Sequence, residues 1–279
     1  MDKDLNIGNC QLMFGDCLER MKEIKDNSID MILCDLPYGV LNKNNPYAKW
    51  DCILPFDKLW NEYDRVIKDN GAIVLFGQGM FTAKMMISNI GLWRYNLIWD
   101  KNAKTGFLNA SRMPLRQHED IMVFYKRLPI YNPQMIKSNP HKRNHGKGKD
   151  NKHVNQCYGT FISTPTTISD YKYPTSIIRI SKEHLFGKFY HPTQKSVNLL
   201  EYLIKTYTNE GMLVLDNTRG GVGKDRQTSS AVLERAIWRS ARTGGTEATS
   251  SHRRSSRRIA GFGPSSLWRR RGGESDRCQ

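Results

Sequence analysis

The sequence predicts an α/β fold built on a parallel β-sheet. In the first 100 residues, short apolar runs alternate with amphipathic stretches. Two apolar runs, Met31 to Cys34 and Met212 to Leu215, are uninterrupted, as is typical of strands buried on both faces. An aspartate follows each run, Asp35 and Asp216. Because the carboxyl ends of parallel strands meet at one edge of a sheet, where such folds bind ligands, we expect both carboxylates at one site.

The remaining elements follow in chain order. Asp16 with Glu19 is a helix-start pattern, in which the carboxylate caps the free backbone N–H groups. Apolar residues from Phe56 to Ile67 recur at helical spacing, and Asn70-Gly71 predicts the end of that helix. The other predicted elements of the first half are strands at 10–14, 72–76, 93–99 and 121–125 and a helix at 81–90.

The second half of the chain begins without the alternation of apolar runs and amphipathic stretches seen in the first. Residues 127–190 predict no regular elements, and order returns at His191. Pro192 is typical of a helix N-terminus, Val197 to Tyr207 repeat apolar residues at helical spacing, and Gly211 ends the helix. The strand that ends at Leu215 follows directly.

Composition narrows the class of protein. The chain has 279 residues, a net charge of +16 and a pI of about 9.6, which favours a polyanionic partner such as nucleic acid. No apolar run has the roughly 18 residues of a membrane helix, and no leader pattern is present, so we expect no membrane partner. Six cysteines without a C-x-x-C pair indicate reduced thiols and a cytoplasmic protein.

The positive charge is unevenly distributed. Residues 219–279 contain 13 Arg and one Lys against 5 acidic residues, a net +9, which leaves +7 for residues 1–218. Every Tyr and Met lies before position 219, and Asn is absent after it. A frameshift, a fusion or a natural low-complexity tail would each produce this change, and we expect residues 219–279 to be disordered.

A second basic segment, from Lys137 to Lys152, lies between the two halves with predicted elements. The simplest interpretation of such a charged segment is a solvated loop. Aromatic residues such as Tyr158 and Tyr171 follow it, and this combination suits a nucleic-acid surface equally well. The candidate DNA-binding residues are Lys137, Lys142, Arg143, Lys147, Lys149 and Lys152. The nearby histidines lack cysteine partners, so we expect no metal site.

The segment Asp35-Leu36-Pro37-Tyr38 is the most informative motif. It is compatible with an ordinary turn. It also suits an attack by the exocyclic amine of a nucleobase, whose lone pair is delocalised into the ring. Acceptors for its two N–H groups, the Asp35 carboxylate and the Pro37 carbonyl, would favour a nucleophilic nitrogen. Tyr38 would stack on the extruded base and stabilise the charge that develops.

Three segments in this order resemble the β-class DNA amino-methyltransferases of bacteria and phages, which modify adenine N6 or cytosine N4. These are Gly15 to Glu19, Asp26 to Gly39, and the pair formed by 191–195 and 215–218. The resemblance covers residues 8–218. It implies a Rossmann-like, seven-stranded methyltransferase sheet, S-adenosylmethionine as cofactor and double-stranded DNA as partner, with a possible cognate restriction endonuclease.

The resemblance also assigns roles to residues. Asp35, Pro37 and Tyr38 are the implied catalytic residues. Asp16 would line the pocket for the adenine of the cofactor, although a role as helix cap explains this residue nearly as well. For the segment that contains Thr193, the simpler alternative to cofactor binding is the start of a helix. The implied cofactor-binding residues are Asp16, Asp35, Thr193, Lys195, Asp216, Asn217, Thr218 and Gly220.

The family pattern breaks after Thr218. Gly220 matches its first loop glycine, but Val222 replaces the second, and no later apolar strand ends in a carboxylate. We therefore expect an incomplete sheet and four regions: a catalytic half (1–126), a target-recognition insertion (127–190), the start of the cofactor half (191–218) and the tail. The expected function is adenine-N6 methylation of DNA. The alternatives are an inactive, truncated or frameshifted relative that only binds DNA, a cytosine-N4 enzyme or an RNA methyltransferase.

Overall fold

A mixed six-stranded β-sheet between helices forms the centre of the protein in the computed structural model, which describes residues 4–41, 51–142, 152–155, 157, 159–162, 168–182 and 195–218. The strands are β1 (Leu5–Ile7), β2 (Cys10–Leu12), β3 (Ile29–Cys34), β4 (Ile67–Gly77), β5 (Trp93–Thr105), β6 (Arg116–Phe124), β7 (Ile136–Lys142), β8 (Lys152–Asn155), β9 (Gly159–Ile162), β10 (Ile168–Lys172), β11 (Ile177–Arg179) and β12 (Val214–Leu215). The helices are α1 (Cys17–Met21), α2 (Phe56–Val66), α3 (Met80–Ser88) and α4 (Val197–Tyr207), with a 3-10 turn at Phe107–Asn109.

The sheet is mixed, so the prediction of a parallel sheet is wrong for one strand. The strand order is β11-β5-β6-β4-β3-β12, and β6 runs antiparallel to both neighbours. The other pairs are parallel. The reason is the short connection between β5 and β6, because ten residues can join antiparallel strands as a hairpin but cannot supply a crossover to a parallel one.

Both faces of the sheet are buried, which explains the uninterrupted apolar strands. Met31 and Leu33 of β3 pack with α4 on one face. Ile32 and Cys34 pack with α2 and α3 on the other. The prediction of strands covered on both sides is confirmed for β3 and β4. The strand predicted at 212–215 is shorter and only partly buried: β12 pairs along β3 at Val214 and Leu215, and Leu213 is 54% exposed.

The predicted end of helix α2 is wrong. Helix α2 ends at Val66, and β4 begins at Ile67, four residues before the predicted stop at Asn70-Gly71. Ile67 is buried and pairs with Ile29 of β3, so packing against the sheet ends the helix before the turn residues do. A side chain at Gly71 would also meet the carbonyl oxygen of Asp30 at 3.0 Å.

The stretch 127–190 contains strands that the sequence did not predict. Strand β7 pairs antiparallel with β10, β8 pairs with β9, and β11 extends the central sheet beside β5. Residues 219–279, to which the expected incomplete cofactor loop and disordered tail belong, lie outside the described residues. Within the described part of the chain, no helix is long and apolar enough to cross a membrane.

Candidate active site

Acidic residues from three strands gather at one edge of the sheet. Asp35 follows β3 and Asp216 follows β12, as predicted. Because β6 is antiparallel, its early residues Glu119 and Asp120 reach the same edge, where Asp120 lies opposite Gly77 at the end of β4. The topology thus adds two carboxylates that a parallel sheet would have placed elsewhere.

The carboxylate of Asp35 contacts two residues. The Tyr38 hydroxyl donates to Oδ1 at 2.8 Å. Nζ of Lys195 lies 2.9 Å from Oδ2. Asp35 keeps 31% of its side-chain surface exposed, whereas Lys195 keeps only 10%. The motif aspartate therefore stays accessible, while the predicted cofactor-binding lysine is buried against it.

Glu119 extends this contact into a network of alternating charges. Its Oε2 lies 2.8 Å from Nζ of Lys195, and its Oε1 lies 3.0 Å from Nζ of Lys101. Lys101 and Glu119 are 4% and 12% exposed. Neither residue is predicted from the sequence as part of the site. The charged pattern 116–120 directly before an apolar strand was a usable signal, but the predicted strand began only at Ile121.

Mutual contact keeps these buried groups charged. Burial lowers the pKa of Lys195, but Asp35 and Glu119 outweigh it and raise the pKa above its ordinary value. Burial likewise raises the pKa of Glu119, but Lys195 and Lys101 outweigh it and hold the pKa below its usual range. Lys182, near the same groups, has a lowered pKa because of burial and the two other lysines. The site therefore keeps the Lys195–Glu119 pair ionised.

Tyr38 is a neutral hydrogen-bond donor in this arrangement. Burial, followed by the negative charges of Asp35 and Glu119, raises its pKa well above the ordinary value. Its ring lies 4.8 Å from the Phe81 ring, centroid to centroid, and Nζ of Lys195 lies 5.8 Å from the Tyr38 centroid. The aromatic face therefore belongs to the same pocket as the Asp35 carboxylate.

A buried aspartate shapes the loop after the motif. Asp51 is 8% exposed and accepts hydrogen bonds from the backbone N–H of Gly39 at 2.8 Å and of Leu41 at 2.7 Å. Gly39 has a φ of +68°, where a side chain would be strained and would meet Ile53 at 2.8 Å. Leu36, the apolar residue inside the motif, is 3% exposed and packs in the core.

The segment after β12 is joined to the motif by hydrogen bonds. The Thr218 hydroxyl donates to the backbone carbonyl of Asp35 at 3.1 Å, and the Thr218 N–H donates to Asp216 at 3.0 Å. Oδ1 of Asn217 accepts from the Tyr63 hydroxyl at 2.6 Å and the Cys34 thiol at 2.8 Å. Burial raises the pKa of Asp216 to about 7. The structure thus brings 216–218 beside Asp35.

The other predicted site residues are only partly described. Asp16 caps α1 and accepts from the N–H groups of Leu18 and Glu19, as the cap interpretation expected, and it lines an open groove of about 430 Å³. Lys137 lies on β7 opposite the exposed Tyr171. Lys142 and Lys152 end β7 and begin β8. The residues outside the described ranges are Arg143, Lys147, Lys149, Thr193 and Gly220.

Comparisons with known proteins point to one family. The N6_N4_Mtase family model, described as DNA methylase, matches residues 29–218. The chain is 27% identical over 219 residues to Type II methyltransferase M.HpaI of Haemophilus parainfluenzae, covering 74% of this chain and 62% of that protein. It is 27% identical over 250 residues to Type II methyltransferase M.HinfI of Haemophilus influenzae, covering 80% of this chain and 64% of that protein. This chain therefore spans less than two thirds of the length of either relative.

A solved structure shares the fold. The chain superimposes on PvuII DNA methyltransferase (cytosine-N4-specific) with a TM-score of 0.51 and 15% identity, covering 80% of this chain and 77% of that chain. The expected Rossmann-like methyltransferase architecture is confirmed by this similarity, with the mixed sheet described above.

Proposed function

Because the chain belongs to the DNA methylase family whose model matches residues 29–218, we propose that it is a site-specific DNA adenine-N6 methyltransferase that modifies a flipped-out adenine. The observation that carries this proposal is the accessible, partly buried carboxylate of Asp35. It lies at the carboxyl edge of the sheet, beside an aromatic side chain and a buried lysine. A base in that position meets an acceptor for its amine and a ring on which to stack.

The base amine is activated by hydrogen bonding. The Asp35 carboxylate and the Pro37 carbonyl accept its two N–H groups, which favours a pyramidal nitrogen with an available lone pair. In the structure, the Tyr38 hydroxyl occupies Oδ1 of Asp35. An incoming amine that displaces this hydroxyl frees the Tyr38 ring to stack on the base. No cysteine nucleophile takes part, since the nitrogen is the nucleophile.

Lys195 and Glu119 position Asp35. The ammonium of Lys195 holds Oδ2 of Asp35, and Glu119 holds Lys195. Asp35 therefore stays fixed and can take up the proton that the methylated nitrogen sheds. The cation also lies 5.0 Å from the centroid of the buried Phe76 ring, which limits its movement.

S-adenosylmethionine is the methyl donor, and when bound it supplies an electrophilic methyl group on a positively charged sulfur. The donor set at the sheet edge fits this group. Burial raises the pKa of Asp216 to about 7, so a cationic group bound beside it, such as the positively charged end of the cofactor, would stabilise its ionised form. The residues proposed to hold the cofactor are Asp16, Asp35, Thr193, Lys195, Asp216, Asn217, Thr218 and Gly220.

The division of labour along the chain follows from this proposal. Residues 1–126 form the catalytic half, 127–190 recognise the target, and 191–218 begin the cofactor half, with 219–279 as a tail outside the family match. The lysines and Arg143 of the basic segment contact DNA phosphates. Double-stranded DNA as substrate places the protein in the cytoplasm, and a cognate restriction endonuclease is the proposed functional partner.

Adenine is the proposed target because the motif begins with aspartate, where a serine would favour cytosine. The test is incubation of the full-length protein with mixed-sequence duplex DNA and S-adenosylmethionine, followed by mass spectrometry of the digested nucleosides. We expect N6-methyladenine, and N4-methylcytosine in its place would overturn the choice of base. The variant Asp35→Asn should lose at least about a hundredfold in rate, whereas the exposed Asp69→Asn should behave as the parent. The same assay with RNA in place of DNA tests the alternative that the protein is an RNA methyltransferase.

The inactive DNA-binding alternative makes a different prediction for the cofactor. The altered glycine loop after Thr218 would then fail to hold S-adenosylmethionine. Calorimetric titration of the full-length protein should give a micromolar Kd if the enzyme is active. A millimolar Kd, with DNA binding retained, favours the inactive relative.

A further inference from the structure

The β5–β6 hairpin projects beyond the sheet at the edge that carries Asp35. Strand β4 ends at Gly77, opposite Asp120 of β6. The pairing of β5 with β6 continues past this point, through Asp100 with His118, to Thr105 with Arg116. Leu115 lies four positions before Glu119, which corresponds to about 13 Å of extended chain. The hairpin loop, residues 106–115, therefore extends from the active-site edge.

This loop exposes apolar side chains. Phe107 is 78% exposed and Leu108 is 82% exposed, and both lie on the 3-10 turn. Met113 and Leu115 follow at 57% and 38%. Scattered exposed apolar residues are ordinary, but a group of four on one short loop is typical of an interaction surface.

The charges around the loop identify the kind of partner. From Lys101 to His118 the sequence contains four Lys and Arg residues and no acidic residue. Lys101 is held by Glu119, and Arg116 donates to Gln78 at 2.9 Å. Lys104 and Arg112 are exposed. Apolar side chains flanked by cations fit a polyanion that offers stacked, apolar groups between its charges, which is the chemistry of duplex DNA.

We propose that the loop 106–115 is a wedge that enters duplex DNA beside the extruded base. Phe107 and Leu108 occupy the space that the base leaves, and Lys104, Arg112 and Arg116 contact the neighbouring phosphates. Extruding a base costs a few kcal/mol of stacking and pairing, and apolar side chains inserted into the stack offset part of that cost. This inference rests on the proposed function, because it takes the substrate of the Asp35 site to be duplex DNA.

The test compares an intact duplex with one of the same sequence that contains an abasic position. The abasic duplex already has the space for the wedge and no base to unpair and unstack there, so the wild-type protein should bind it about fivefold to tenfold more tightly. The double variant Phe107→Ala/Leu108→Ala should bind both duplexes alike. The matched control is Ile87→Ala/Ile90→Ala, which removes two residues that are 74% and 72% exposed elsewhere on the surface and should keep the preference.

Three results would overturn the wedge: no preference in the wild-type protein, a preserved preference in the Phe107/Leu108 variant, or equal loss in the control. Thermal melting of each variant separates lost contacts from lost folding.

The variant Arg112→Gln/Arg116→Gln should weaken binding of both duplexes equally and reduce the salt dependence of that binding. Binding needs no methyl transfer, so an abasic preference without methylated product refutes the proposed function alone, whereas methylated product without the preference refutes the wedge alone.

Discussion

Opposite charges alternate at the centre of the site, from Asp35 through Lys195 and Glu119 to Lys101. Isolated buried charges cost several kcal/mol, but each of these groups has a partner of opposite sign within 3.0 Å. The arrangement fixes the motif aspartate through a lysine that the sequence assigned to the cofactor. Glu119 is therefore proposed as a positioning residue, because it would act on the base amine only through Lys195 and Asp35.

Glu119→Gln tests this positioning role. The amide can accept from one lysine only and turns its N–H groups towards the other, so we expect methyl transfer to fall about tenfold to a hundredfold in kcat, with KM for DNA unchanged. Lys195 also loses one of the two carboxylates that raise its pKa. Activity of the variant should therefore be lost at a lower pH, on the alkaline side, than that of the wild-type protein.

The matched control for this variant is Glu201→Gln. Glu201 is 15% exposed and paired with Lys205 at 2.7 Å on α4, which resembles the environment of Glu119 but lies outside the site. It should leave the pH profile unchanged. A Glu119→Gln enzyme that loses activity equally at every pH would contradict the role assigned to Glu119.

Asp216 gives a prediction for stability. Its folded pKa is about 7, against an ordinary value of 3.8, so the folded state holds this proton more tightly than the unfolded chain. The stability that the neutral carboxyl contributes is present below pH 4 and is lost as the pH rises to about 7. Asp216→Asn removes the titrating group. The free energy of unfolding of the variant, minus that of the wild-type protein, should therefore increase between pH 4 and pH 7 by at most about 4 kcal/mol.

Chemical unfolding of both proteins at pH 4, 5.5, 7 and 8 measures this difference. The two should be closest in stability at pH 4, because a neutral carboxyl and an amide have similar shapes. A difference that stays constant across the series would refute the raised pKa of Asp216.

At the scale of elements, the loop that follows β3 depends on Asp51. Asp51→Ala leaves the N–H groups of Gly39 and Leu41 without their charged acceptor, which should destabilise the protein by about 1–3 kcal/mol. Tyr38 lies on this loop, so methyl transfer should fall as well. Asp51→Asn keeps one acceptor oxygen, so its stability and its rate of methyl transfer should lie between those of the wild-type protein and Asp51→Ala. Thermal melting and hydrogen exchange of residues 35–41 measure both effects, and an unchanged exchange rate in Asp51→Ala would contradict them.

The elements also show where sequence patterns were sufficient. Strands β3 and β12 were predicted because uninterrupted apolar runs are typical of buried strands, although β12 is only partly buried. The aspartates after them lie where parallel strands must place them. The antiparallel direction of β6 was missed, because an apolar run contains no information about strand direction. Glu119 was missed for the same reason, since only that direction brings it to Lys195.

For the whole molecule, the distribution of charge matters more than its total of +16. More than half of it, +9, belongs to residues 219–279, outside the family match that ends at residue 218. The basic residues proposed to contact DNA lie instead on the hairpin at 101–118 and in the segment from Lys137 to Lys152. Net charge indicates only the general class of partner, whereas the proposed contacts with DNA depend on where the basic residues lie.

The sequence by itself determined the family, the motif Asp35 to Tyr38 and the two strands that deliver Asp35 and Asp216 to one edge. These are local properties, because burial and turn formation are encoded in neighbouring residues. Only the tertiary structure decided that Lys195 binds Asp35, that Glu119 and Lys101 complete the network, and that Phe107 and Leu108 extend from the same edge. Those contacts join residues up to 160 positions apart, and strand order and direction, which no local pattern specifies, bring them together.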